Sequence, residues 1–304
     1  MITCLDDLPA FTRIWYFSNL NSGRQLNAYL TLRLDLKNPW NAGTTVPKSL
    51  QEKLLLPFGE VKDLHRMRFD FHGSPFFPDC TVYPSIKAKV QKEQAIPAPT
   101  PEECVEECWR RKHLGLEKLA KKDYTDTLEE YVRAFGEIFI FVEGRKREVV
   151  CDAYFSTELD SGTFKGQYGH SVRLHLRVQL VACVMQAYLL MGDYEEAWFW
   201  GQRSVRLMRE GMQGMEAIGG EGWNEWVEET VGVGFPGRKD MAWVFFRSAV
   251  ARRKVLEEEE REVEVEALIF AAERFAVGDQ LLGAELKAWR LRELVKEETN
   301  RGEV

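Results

Sequence analysis

The spacing of apolar residues changes character at about residue 100. Before that point apolar and polar residues alternate over short stretches: TRIWYFS from Thr12, NAYLTLRLDL from Asn27 and HRMRFDFHG from His65. Alternation of this kind, with β-branched and aromatic residues, is typical of strands. Between them, PKSLQEKLLLPF from Pro47 predicts a short helix with proline in its first turn. Residues 1–95 therefore predict a small α/β segment.

After Thr100 the apolar residues recur at helical spacing. Two segments each hold a pair of amphipathic runs, joined at Lys122–Asp123 in the first and at Gly192–Asp193 in the second. The proline-rich IPAPTPEE from Ile96 predicts a stiff connector that leads into the first helix. Residues 101–304 therefore predict a mainly α domain. Residues 140–170, which lack a helical period, and the glycine-rich residues 211–239 are interpreted as insertions.

The two paired segments resemble tetratricopeptide repeats, in which two antiparallel helices form each repeat of about 34 residues. GDYEEA from Gly192 is the best single match in the chain. In the family, small residues lie where the helices touch most closely and larger ones fill the seams. The matching positions are Leu114, Gly115, Asp123, Tyr124, Thr127, Tyr131 and Ala134 in the first segment, and Tyr188, Gly192, Asp193, Tyr194, Ala197 and Ser204 in the second.

The pattern departs from the family at several positions. Met185 replaces a small residue, Gly201 stands where an aromatic residue is usual, and neither segment has the closing proline. DMAWVFFRSAVARRKV from Asp240 resembles the first helix of a third repeat, but the acidic EEEEREVEVE from Glu257 is expected to separate it from the next helical pair. The resemblance implies a mainly α fold, a tetratricopeptide-like helical-hairpin array preceded by a small α/β segment. This arrangement is similar to many uncharacterised fungal tetratricopeptide proteins.

The charge of the chain is unevenly distributed. Up to Thr100 there are 12 basic and 9 acidic residues, and after it 29 basic and 39 acidic residues. An acidic helical body repels phosphate backbones, so no nucleic-acid partner is expected. Asp6 and Asp7 stand where a secretion signal would be basic and apolar, and the longest apolar run, from Val178, has 15 residues, fewer than a membrane span needs. These features predict a soluble cytoplasmic protein, with the nucleus as an alternative, and no membrane partner.

The sequence lacks the short motifs of phosphate loops, nucleophile elbows and paired-histidine zinc sites. Cys104 and Cys108 share a helical face and His113 follows them, but no fourth ligand stands at suitable spacing. We therefore expect no metal and no cofactor. The six cysteines are scattered, which favours reduced thiols.

In tetratricopeptide proteins the first helices of successive repeats line a concave groove that binds peptides. Carried over by position, the groove would comprise Trp109, Lys112, Leu116, Gln179, Ala182, Gln186, Phe245, Ala249 and Arg252. Lys112 matches one position of the members that clamp a terminal carboxylate, but Leu116 and Cys183 replace the two asparagines. The resemblance therefore implies a groove in which Trp109, Leu116 and Phe245 favour an apolar anchor rather than a carboxylate clamp. Lys112 and Arg252 would add tolerance for acidic flanks.

The leading functional hypothesis is a protein-interaction module, an adaptor or scaffold that binds a peptide or partner surface in the groove and is not an enzyme. Two alternatives stay open. One is a homo-oligomeric structural protein, in which the terminal helices form a homodimer interface. The other is an enzyme with a pocket between the α/β segment and the helical array, since such a site need not leave a short motif.

Overall fold

The computed structural model is mainly helical and describes residues 7–21, 31–34, 46–62, 66–69, 82–209, 218–233, 237–255 and 261–302. The chain divides into two compact units. The first comprises Met1–Pro101 with Val149–Thr157, and the second comprises Glu102–Glu148 with Glu158–Val304. The division near Pro101 falls at the expected connector, but a short piece of the first insertion belongs to the first unit.

The first unit contains three helices and a pair of short strands among its described residues. The elements are α1 (Leu8–Asn21), β1 (Thr31–Leu34), α2 (Lys48–Leu55), a 3-10 turn (Leu56–Glu60), β2 (Arg66–Phe69) and α3 (Pro84–Ala95). The two strands pair in parallel, with Thr31 opposite Arg66. The predicted strands near Asn27 and His65 and the helix after Pro47 are confirmed, and α3 was not predicted.

The strand predicted at TRIWYFS is wrong, because these residues lie in α1. Aromatic and β-branched residues favour strands, but Phe11 and Trp15 are four apart and share one helical face. Both pack against the buried Phe58 and Val61. Tertiary packing of an apolar helical face therefore outweighs the local strand preference.

The second unit is built mainly from long helices that pack on one another. It contains α4 (Pro101–Ala120), α5 (Tyr124–Glu137), a hairpin of β3 (Ile140–Glu143) and β4 (Lys146–Val149), α6 (Gly169–Met191), α7 (Tyr194–Arg209), α8 (Trp223–Val233), α9 (Arg238–Val255), α10 (Arg261–Phe275) and α11 (Gln280–Gly302). Helix α6 packs against α5, α7 and α9, and α9 packs against α7 and α10. The first insertion thus includes a β-hairpin and the second includes α8.

Three turns between successive helices share one design. In each, a residue with positive φ ends one helix, and the aspartate after it accepts a hydrogen bond from a backbone N–H in the first turn of the next helix. The three pairs are Lys122–Asp123, Gly192–Asp193 and Gly278–Asp279. The helical pairs predicted around these positions are confirmed as helices.

Glycine allows the closest contacts between helices of the second unit. A Cβ atom placed on Gly115 of α4 would lie 2.3 Å from Cε1 of Tyr131 on α5. One placed on Gly201 of α7 would lie 2.1 Å from Oγ of Ser248 on α9. The absence of an aromatic side chain at Gly201 therefore has a structural reason, since it lets α7 approach α9.

The acidic run from Glu257 does not separate α9 from its partner helix as expected. Helix α10 begins at Arg261, inside that run, and packs along α9. Residues 256–260 lie outside the described residues. Glutamates in the first turn of a helix interact favourably with the positive end of the helix dipole. A run of acidic residues can therefore begin a helix as well as separate two helices.

Among the described helices, α6 alone is long and apolar enough to cross a membrane by length and composition. The core helix of a soluble protein passes the same test, so this is weak evidence. In the structure α6 packs against α5, α7 and α9, and 44% of its apolar window is buried.

Candidate partner-binding face

Helix α4 presents Trp109, Lys112 and Leu116 on one face, as their spacing predicts. Lys112 is buried, and its Nζ lies 3.8 Å from the centre of the Trp109 ring. The same Nζ donates a hydrogen bond of 2.6 Å to Oε1 of Gln179 on α6. The structure therefore brings Trp109 and Lys112 of α4 together with Gln179 of α6.

Gln179 connects Lys112 to helix α9. Its amide nitrogen donates to Oδ2 of Asp240 at 3.2 Å, and Nε2 of His175 lies 2.9 Å from the same oxygen. The two partners of this carboxylate, His175 and Gln179, both lie on α6, one turn apart. Asp240 is thus engaged by α6, although it was not among the predicted groove residues.

Arg247 supplies the second cation of this face. Its guanidinium donates to Oε1 of Gln186 at 3.0 Å and to the carbonyl oxygen of Ala182, both on α6. It also lies 4.8 Å from the centre of the Trp243 ring. We call Lys112, His175, Gln179, Gln186, Asp240 and Arg247 the polar cluster.

The groove positions predicted on α9 are wrong in register. Phe245 and Ala249 are fully buried, and the Phe245 ring packs against Trp223 and Trp226 of α8. Arg252 pairs with Glu264 of α10 rather than facing α6. The face of α9 that meets α6 instead carries Asp240 and Arg247, which are seven residues, or about two turns, apart.

Desolvation dominates the electrostatics of the polar cluster. Burial lowers the pKa of Lys112, and nearby Cys183 and Asp240 oppose this. Burial also lowers the pKa of Arg247 to about 10. That value lies well above neutral pH, so the guanidinium stays charged at a cost in stability.

Among the described residues, Lys112 and Arg247 have no carboxylate within ion-pair distance. Asp240, the carboxylate of the polar cluster, is bonded to His175 and Gln179. Other basic side chains of the same unit are paired with carboxylates. The pairs include Arg111–Glu130, Lys118–Asp126, Arg133–Glu129, Arg145–Glu196, Arg252–Glu264, Arg274–Glu228 and Arg290–Glu273. Lys112 and Arg247 differ from these pairs, because their hydrogen bonds go to amide and carbonyl oxygens of α6.

Cys183 lies beside the polar cluster but is not activated by it. Burial raises the pKa of its thiol, and Arg247 and Lys112 only partly oppose this. A protonated thiol is a weak nucleophile and a weak metal ligand. Cys183 is therefore a poor candidate for a nucleophile.

The residues considered for a metal site fill helix contacts. Cys104 and Cys108 are buried on α4, and burial strongly raises the pKa of the Cys108 thiol. Nδ1 of His113 lies 2.8 Å from the Trp109 carbonyl oxygen. In the part of the chain that the structure describes, no group of three or more His, Cys, Asp or Glu side chains could hold a metal ion.

No family model, no curated protein and no solved structure matches the chain.

Proposed function

We propose that the second unit is a tetratricopeptide-like array of helical hairpins that acts as a protein-interaction module. Its partner would place an acidic group on the polar cluster. The observation that carries this proposal is the pair of cations, Lys112 and Arg247, which donate to Gln179 and Gln186 of α6 and have no carboxylate within ion-pair distance in the described part of the chain. A bound carboxylate would compensate their desolvation by charge-assisted hydrogen bonds.

The helical packing supports the first half of the proposal. The repeated aspartate-capped turns and the contact of Gly115 with Tyr131 are features that the family resemblance implies. Thr127 and Ala197, the expected small residues of the seams, are fully buried. The three helices α4, α6 and α9 that supply the polar cluster are the first helices of the three proposed hairpins.

The chemistry of the face favours an acidic partner over the apolar anchor expected from the sequence. Phe245 is enclosed by α8 and cannot serve as an anchor. Trp109 and Trp243 remain half-buried beside the two cations and offer apolar surface around an acidic group. Aromatic residues and arginine are both enriched in protein interfaces.

An affinity pull-down from native cell extract tests the proposal. In Leu116→Asp the new carboxylate stands one turn from Lys112, where it would compete with an acidic partner. In the matched control, Val132→Asp, the same charge is placed on an exposed position of α5. We expect the first variant to lose the partner and the second to retain it. If both variants capture the partner equally, the proposed face is wrong.

A self-assembling protein is the second candidate. Leu281 and Leu291 of α11 are large apolar side chains exposed to 76% and 55%, which a second copy of the chain would cover. Light scattering on the purified chain distinguishes the two candidates, since a monomer favours the adaptor and a homodimer that Leu281→Glu dissociates favours self-assembly. The enzyme alternative, the cytoplasmic location and the absence of nucleic-acid binding stay predictions.

A further inference from the structure

One loop of the first insertion lies on helix α4. Residues 158–168 form a closed loop, whose ends are joined by a bridge between Glu158 and Tyr168. The backbone N–H of Leu159 donates to the carbonyl oxygen of Gln167 at 2.9 Å, and the side chain of Leu159 is buried. We call this loop the strap. Its base is fixed by its own hydrogen bonds and by one apolar side chain.

The tip of the strap is held on α4 by two carboxylates. Oε1 of Glu102 accepts a hydrogen bond of 3.0 Å from the backbone N–H of Asp160. Glu106, about one turn further along α4, accepts from both the backbone N–H and the hydroxyl of Thr163. At Gly162, where φ is +77°, a Cβ atom would collide with Oε1 of Glu106. Glycine at this position therefore allows the tip to approach α4 so closely.

The same tip places an aromatic ring on the proposed partner-binding face. The centre of the Phe164 ring lies 5.7 Å from that of Trp109, and the two rings are perpendicular. Glu102, Glu106 and Trp109 are spaced four and three residues apart, so they lie on one stripe of α4. Leu116, seven residues after Trp109, continues that stripe. The strap therefore lies along one end of the face that the partner is proposed to contact.

Little apolar surface holds the tip in place. Phe164 is half-buried. The other residues of the tip are exposed, namely Asp160, Ser161, Gly162, Thr163, Lys165 and Gly166. The hydrogen bonds to Glu102 and Glu106 are formed at exposed positions, where water competes for both partners. Segments with few buried apolar contacts open at a lower free energy than the core around them. We therefore expect the tip to open while α4 stays folded.

We propose that the strap is an autoinhibitory cover of the partner-binding face, which leaves Trp109 when the partner binds. The partner would place an apolar or aromatic side chain on Trp109 in place of Phe164, beside the acidic group that Lys112 and Arg247 contact. This inference rests on the proposed function. A site that is open in only a fraction of the molecules binds with an apparent Kd raised by that fraction.

Two variants open the strap in different ways. Phe164→Ala removes the ring, and Gly162→Ala adds a Cβ that collides with α4 at a left-handed φ. The matched controls are Lys165→Ala, an exposed residue of the tip, and Gly144→Ala, a glycine of left-handed φ whose Cβ would meet nothing within 4 Å. Hydrogen exchange of the full chain, followed by mass spectrometry, should become faster in residues 158–168 for the two opening variants only.

The probe for the uncovered site is a synthetic peptide with the sequence of residues 158–168, because it carries the groups that α4 already contacts. In fluorescence anisotropy it should bind the two opening variants about 2–10-fold more tightly than it binds wild type and the controls. Adding Trp109→Ala to Phe164→Ala should remove this gain, which locates the peptide on the stripe of α4.

The partner captured from cell extract gives the second readout. Its Kd should fall by a similar factor in the opening variants and stay at the wild-type value in the controls. The inference is overturned if exchange in the strap is unchanged, or if peptide or partner binds the opening variants no better than wild type. In that case a loss of the partner by Arg247→Gln would still support the proposed function, so the two failures are distinguishable.

Discussion

Replacing Gly115 by alanine should destabilise the second unit, although alanine is the better helix former. The new Cβ would lie 2.3, 2.8 and 3.0 Å from three ring atoms of Tyr131. Non-bonded carbon atoms pack at about 3.5–4.0 Å, so the new Cβ and the nearest ring atom would overlap by roughly 1 Å or more. Tyr131 is fully buried, so its ring cannot swing into solvent.

The expected magnitude follows from two opposing effects. Overpacking of a well-packed core costs about 1–3 kcal/mol, and the severe overlap favours the upper end of that range. Replacing a glycine inside a helix by alanine stabilises the helix by about 0.5–1 kcal/mol, which offsets part of the overpacking cost. We therefore expect Gly115→Ala to lower the free energy of unfolding by about 2 kcal/mol. This corresponds to a fall in Tm of roughly 4–8 °C for a unit of this size.

Urea unfolding followed by far-ultraviolet circular dichroism measures the change. The matched control is Gly136→Ala on α5, where a Cβ would meet nothing within 4 Å. It should leave stability unchanged or raise it by up to about 1 kcal/mol. In a Tyr131→Leu background, Gly115→Ala should cost much less, because the ring that it meets is gone. Equal stability of Gly115→Ala and Gly136→Ala would refute the packing of α4 against α5.

Three further predictions concern the same unit. Ala197→Phe should cost about 1–3 kcal/mol in urea unfolding, because Ala197 is fully buried; an unchanged midpoint would contradict the alignment of the second hairpin. Arg247→Met should raise the free energy of unfolding at neutral pH by up to about 3 kcal/mol, since a pKa lowered to about 10 means that the folded state destabilises the charged form. This gain should shrink as pH rises through about 10 toward the ordinary arginine value; a variant that is less stable at every pH would contradict it. EDTA should leave Tm unchanged, because burial raises the pKa of the Cys108 thiol and so keeps it protonated, a form that binds metals weakly. A fall in Tm that zinc reverses would show a metal site.

Local signals in the sequence were sufficient for most of the helical hairpins. An aspartate after a turn, followed by a periodic apolar run, identifies the start of α5 and of α7, and both begin where the pattern predicts. The same kind of reasoning failed at α1, because the strand preference of its aromatic residues is outweighed by packing on Phe58 and Val61. Long-range contacts of this kind leave no mark within the segment itself.

The candidate face was predictable on α4 and α6 but not on α9. Trp109, Lys112 and Gln179 come together as their spacing implies. On α9 the repeat pattern predicts Phe245 as a groove residue, but α8, from an insertion with no counterpart in that pattern, covers it. The signal that could have identified Arg247 is its two-turn spacing from Asp240, which places both on one helical face.

The central claim is that the polar cluster binds an acidic group of a partner. The most direct test is the Kd of the captured partner for wild type, for Arg247→Gln and for Arg274→Gln. Arg274 is an exposed arginine paired with Glu228, so its variant controls for the loss of one surface charge. Because a hydrogen bond to a charged group contributes about 1.5–3 kcal/mol, Arg247→Gln should weaken binding about 10–100-fold, while Arg274→Gln binds as wild type does. Equal Kd values for wild type and Arg247→Gln would contradict the account.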